Sequence, residues 1–144
     1  TRVITLSMDW IYGAIKVPGA TGGWHSLSHH GGNAGKIAQL SKIEVDTLKH
    51  FNQFLFEMDQ IKEGNGTLLD HTTVVMGSNF GDSSAHTCNN LPMIVAGGGY
   101  RHQAHTVLGG PTPLCNLYLE LLHKHNVDVE SFGSSQKDMG LLKA

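Results

Sequence analysis

Thr72-Thr73-Val74-Val75-Met76, the loop Gly77-Ser78-Asn79-Phe80-Gly81-Asp82-Ser83-Ser84-Ala85-His86-Thr87, and the apolar residues 91–96 closed by Gly97-Gly98-Gly99 form the stretch on which the fold turns. Both apolar runs are short and bounded by turn residues, which suits strands buried on both faces. Upstream, Ile37, Leu40, Leu48, Phe51, Leu55 and Met58 recur at three- and four-residue steps, with Ile43, Phe54 and Ile61 widening the stripe. That spacing predicts a long amphipathic helix over 36–63, stopped by Gly64-Asn65-Gly66, with Phe51, Leu55 and Met58 buried. Downstream, Thr112 as N-cap and Pro113 in the first turn predict a second helix over 113–125, with Leu114, Leu117, Leu121 and Leu122 facing inward. The opening Val3-Ile4-Thr5-Leu6 reads as part of a further strand. Strands alternating with long helices predict an α/β fold: a mostly parallel sheet with flanking helices, its strands near 2–7, 72–77 and 92–96 adjacent or nearly so. Residues 1–144 read as a portion of a single domain, without repeats or an internal linker.

In such sheets ligands gather beyond the carboxyl ends of the strands, so the loops there carry the chemistry. One is the loop through His86. The other is the Gly-rich stretch 10–35, which holds Gly22-Gly23-Trp24-His25-Ser26-Leu27-Ser28-His29-His30-Gly31-Gly32-Asn33. If this segment is helical, His25 and His29 stand one turn apart on one face, close enough to share a cation. Neutral imidazole is the commonest metal ligand, and three histidines with an open fourth position is a geometry of catalytic zinc. The expected site is therefore His25, His29 and His86 on zinc or another divalent transition metal, with His30 and Asp82 as neighbours or alternates. The plain alternatives are a solvated histidine loop, a backbone-capping His86 and a turn-forming Asp82. Ser28 lies between the histidines, where a serine is ordinarily a turn or capping group rather than a nucleophile. His102 and His105 share no fixed face and stay outside the site.

Composition narrows the function classes. A chain of 144 residues with 40% hydrophobic and 15% charged residues and a formal charge of −2 is globular in character. It is neither basic enough for a nucleic-acid footprint nor acidic enough to remain unfolded. No run approaches the ~18 apolar residues of a membrane span. Ten histidines against ten lysines and arginines is the anomaly. Cys88 and Cys115 fit either one bridge or two thiols. The chain starts on a strand-like segment without Met or signal peptide, which suggests a mature or truncated product.

His25-Ser26-Leu27-Ser28-His29-His30 resembles the motif of the HXXSHH family, bacterial proteins with a domain of unknown function. The resemblance extends over Thr1 to Leu6, Gly66-Thr67-Leu68-Leu69-Asp70, the run from Gly81-Asp82 through His86 to Asn90-Leu91-Pro92, Ala96-Gly97-Gly98-Gly99 and Val129-Glu130-Ser131-Phe132-Gly133, essentially the whole chain. That family is similar, more distantly, to the alkaline-phosphatase-like superfamily of metallohydrolases and mutases. The resemblance implies the C-terminal half of an alkaline-phosphatase-like domain, incomplete at its N-terminus, whose nucleophile and first acidic ligand lie elsewhere. His25 and His29 match an acid and a histidine four residues apart, and His86-Thr87 before Leu91-Pro92 matches the last ligand element. Two departures stand out: His25 replaces an acid, and Asn79-Phe80 stands where an Asp-His pair is expected.

The resemblance implies an exported protein of the periplasm or cell envelope. The leading expectation is a metal-binding, hydrolase-like protein acting on a small-molecule phosphate or sulfate ester. The alternative is a non-catalytic binding or assembly module, with an unknown protein partner and at most one structural metal.

Overall fold

The computed structural model describes residues 3–7, 16–102 and 105–143. The chain forms two compact units, Thr5–Gly98 and Gly99–Ala144 with Thr1–Ile4. In the first, the helix expected over 36–63 forms as α2, Ala34–Gln60. Asn33 caps it, its side-chain oxygen accepting from the Lys36 amide at 3.0 Å, which satisfies one of the free donors of the first turn. Leu40, Ile43 and Met58 are buried along α2, while Phe51 and Leu55 are half-buried.

A short helix precedes it: α1, Trp24–Ser28, packed against α2. Its Leu27 joins Val17, Leu40 and Ile43 in a small apolar core, flanked by Ala20 and Trp24. Burying one leucine contributes about 1.5–3 kcal/mol, so this cluster can fix α1 on α2 although five residues are too few for an autonomous helix. Polar side chains of α2 secure the approach to α1. Gln39 Oε1 accepts from the Thr21 amide at 2.8 Å and hydroxyl at 3.0 Å, and Lys42 Nζ donates to the Gly19 carbonyl at 3.1 Å.

After α2 the chain turns through β1, Lys62–Glu63, and β2, Gly66–Thr67, an antiparallel pair joined by Gly64-Asn65. The glycine segment expected to stop the helix thus forms the loop of a tight hairpin, and Ile61 is the helix C-cap. Then come β3, Thr73–Gly77, and β4, Met93–Gly97, which pair antiparallel from Thr73↔Gly97 to Gly77↔Met93. Gly97 lies at φ +71°, and a Cβ there would sit 2.2 Å from the Thr72 carbonyl oxygen, so only glycine fits where β4 ends.

This pairing overturns the expected alkaline-phosphatase-like α/β fold with its mostly parallel sheet. The described residues hold two antiparallel two-stranded sheets instead. The physical reason lies in the connection 78–92. Parallel neighbours need a crossover that carries the chain back to the starting end of the sheet, usually through a helix. Here the connection folds upon itself: the Gly81 amide donates to the Thr87 carbonyl at 3.0 Å, and the Thr87 amide to the Asp82 carbonyl at 3.1 Å. The chain re-enters the sheet where it left, and only an antiparallel partner is possible. The third expected strand is also absent within its described part. Residues 3–7 form no strand, and Val3 and Ile4 stay 83% and 92% exposed; residues 1, 2 and 8 lie outside the described set.

The second unit is built on α3, Leu114–Lys124, which begins one residue later than expected, with Pro113 as its N-cap. Leu117 and Leu119 are buried, but so are Asn116 and Glu120, each 1% exposed. Leu114, Leu121 and Leu122 are only half-buried. The inner face therefore includes polar positions that a leucine count misses. No helix among the described residues is long and apolar enough to cross a membrane.

Candidate functional site

His25, His29 and His86 meet in the first unit. The His25 and His29 rings stand 4.7 Å apart between centroids at 74°, and His29 and His86 stand 4.8 Å apart at 83°, both edge-on. The first contact follows from helical spacing, since α1 places its residue 25 one turn below its C-cap His29, whose amide donates to the His25 carbonyl at 3.3 Å. The second is tertiary. Ser83 Oγ donates to the Ser28 carbonyl at 3.2 Å, and Ser84 Oγ accepts from the Gly31 amide at 2.9 Å. Two adjacent hydroxyls thus stitch the 78–92 connection to both sides of His29 and deliver His86 to it. Nothing in the sequence marks Ser83 and Ser84 for this work; an Asp-Ser-Ser run reads as an ordinary turn.

His86 is held at φ +52°, a left-handed conformation that costs a non-glycine residue on the order of 1 kcal/mol. The turn around it imposes that conformation. Asp82 Oδ1 accepts from the amides of Ser84 at 2.9 Å and Ala85 at 3.1 Å, the turn-forming role open to an aspartate there. Gly81 sits so close to the returning chain that a Cβ would lie 1.9 Å from the Asn89 carbonyl oxygen. Asp82 therefore shapes the loop that presents His86. Phe80, at the position where the resemblance expects a histidine, packs beside the His86 ring, centroids 5.3 Å apart.

His30 takes a different course. Its Nδ1 accepts from the Gly32 amide at 3.1 Å, so it supports the turn into α2. Ser28 Oγ donates to the His25 carbonyl at 2.9 Å, a helix-terminal bond that commits the hydroxyl to the backbone. His102 lies in the other unit beside Tyr100, ring centroids 6.0 Å apart. Cys88 and Cys115 are free thiols.

The electrostatics favour a neutral His29. Partial withdrawal from water pushes the His29 imidazole below its ordinary value, and the neighbouring His25, His86 and Lys36 push the same way. Lys36 is fixed close by, its Nζ donating to the His29 carbonyl at 3.2 Å. A neutral imidazole is the form that ligates a metal. Three imidazoles on one tetrahedral cation, with Zn–N at ~2.0–2.1 Å, place their centroids roughly 5 Å apart, and the two ring spacings here are of that size. Among the described residues no group of three or more His, Cys, Asp or Glu side chains has the arrangement of a metal-holding set. The donor chemistry suits a transition metal, while the rings as placed pack edge-on upon one another. No family model, no curated protein and no solved structure matches this chain.

Proposed function

We propose that this protein binds zinc or another imidazole-accepting divalent metal through His25, His29 and His86. In that reading it is a hydrolase-like protein for small phosphate or sulfate esters. The observation that supports it is the meeting of three imidazoles from two independent elements around His29, the ring whose environment disfavours a proton. The likeness of residues 25–30 to the HXXSHH motif points the same way; the phosphatase-like sheet contributes nothing, since it is not formed. In such a site His25 and His29 supply one rigid pair of donors and His86 the third, with the Asp82 turn setting its position. The metal would supply Lewis-acid polarisation of an ester oxygen. Oxygen-preferring magnesium would be a poor occupant of an all-imidazole site.

A non-catalytic binding module has one observation in its favour: Phe80 packs against His86 where a ligand pair would stand. The two readings separate in one experiment. Purified protein, stripped and then dialysed against zinc, should retain close to one equivalent by elemental analysis and hydrolyse an aryl phosphate or aryl sulfate. Metal retained without turnover would leave the binding module; no retention above a His29→Ala variant would defeat the metal site.

A further inference from the structure

In the second unit, the segment after α3 is tied to the helix by polar side chains reading its backbone. Asn116 Oδ1 accepts from the Gln136 amide at 2.8 Å, and Glu120 Oε1 accepts from the Leu142 amide. His123 continues the same stripe one turn further on, as residues 116, 120 and 123 follow the four- and three-residue steps of one helical face. Its Nε2 lies 2.8 Å from the Val129 carbonyl oxygen and its Nδ1 lies 3.0 Å from Asp138 Oδ2.

A carbonyl oxygen only accepts, and an ionised carboxylate only accepts. Both ring nitrogens of His123 must therefore donate, which an imidazole does only as the cation. The neutral ring can satisfy one partner and must turn a lone pair toward the other. We propose that residues 128–143 are a proton-gated strap, closed over α3 when His123 is an imidazolium clamped between Val129 and Asp138, and released when that ring gives up its second proton.

The charged groups around the clamp are consistent with this gating. The Val129 carbonyl raises the His123 imidazole above its ordinary value, and Asp138 and Asp128 add to the effect. Burial pushes the Asp138 carboxyl up, but the Gly140 amide, His123 and Lys124 outweigh it and hold it below the usual carboxylate range. The signs set a window. A raised imidazole gives stability that is full below about 6.5 and is lost as pH rises through its folded value. A lowered carboxylate gives stability that is lost only as pH falls through its own folded value. The strap is thus closed between the two and opens on the alkaline side.

The rest of the strap makes a release feasible. Glu120 is buried, and its Oε2 has no hydrogen-bond partner among the described residues. Closing the strap over a half-satisfied side chain carries a desolvation cost, which offsets part of what the Asn116, Glu120 and Arg101–Lys143 ties contribute and leaves the clamp able to decide closure. The apolar contribution from the strap is small, chiefly Leu142, with Phe132 edge-on to Tyr118 at 6.1 Å.

The test is amide hydrogen exchange by NMR on the full chain, corrected for intrinsic rates, from about one unit below to about two units above the ordinary imidazole value. Protection of the Gln136 and Leu142 amides should fall at least tenfold across that range, while the α2 amides stay protected. His123→Ala should remove the extra protection at every pH. Should that variant not fold, Asp138→Asn serves instead, because its side-chain amide can donate to the lone pair of the neutral His123 ring and should flatten the fall in protection as pH rises. Wild-type protection that does not change with pH, that fades in parallel throughout α2, or that ignores both substitutions would overturn the strap.

Discussion

His29 and His123 both stand at the C-terminal ends of helices, the one capping α1 and the other in the last turn of α3. A helix C-terminus favours a cation, so position alone would raise both imidazoles. His29 is lowered and His123 is raised. The difference is in what each ring meets: partial withdrawal from water, then two further imidazoles and a lysine, at His29; a carbonyl and a carboxylate at His123. One ring is held toward its neutral form, with a lone pair that the proposed metal site would use. The other already has both nitrogens committed within it. Histidine number says little about metal binding; the partners of each ring decide it.

The sharpest way to break this contrast is metal content. His29→Ala should reduce bound zinc to background, and His86→Ala should weaken binding by tenfold or more, whereas His50→Ala on the exposed side of α2 should leave it unchanged. Equal losses in all three would mean that zinc binds to histidines indiscriminately. Next in size is the support beneath the site. Leu27→Ala should cost about 2–5 kcal/mol in urea denaturation, because Leu27 is 4% exposed in the small core that seats α1 on α2. A cost below roughly 1 kcal/mol would show that α1 does not depend on that core.

On the other side of the comparison, Asn116→Ala leaves the Gln136 amide without its acceptor and should cost about 1–3 kcal/mol. The loss should appear in exchange at residues 128–143 and spare zinc binding. The smallest effect is in the titration curves. His29 should titrate below an ordinary histidine and His123 above one in NMR spectra of the metal-free protein. The first unit should then lose stability on acidification and the second on alkalinisation, since a lowered imidazole binds its proton better when unfolded and a raised one better when folded. Coincident midpoints for the two rings would remove the contrast altogether.

Local spacing determined a good part of this protein. The three- and four-residue recurrence from Ile37 to Met58 specified α2, Pro113 and the following leucines specified α3, and the four-residue interval between His25 and His29 specified their contact. In each case the interacting residues lie within a turn or two of the chain, where helical geometry leaves few alternatives. Direction of strand pairing was another matter. Residues 72–76 and 91–96 look alike whether parallel or antiparallel, because apolar content carries no orientation; nor did it secure the expected burial on both faces, since Val75 and Ile94 stay 38% and 39% exposed. The choice fell to hydrogen bonds between Gly81, Asp82 and Thr87 that return the connection to its starting edge. The same folding back, with Ser83 and Ser84 bonded to the backbone on either side of His29, brought His86 from 57 positions away in sequence to 4.8 Å. The polar inner face of α3 likewise exists only because distant amides of Gln136 and Leu142 need acceptors. Contacts of that kind are set by the backbone's demand for hydrogen bonds in the folded state, which no local pattern of residue types encodes.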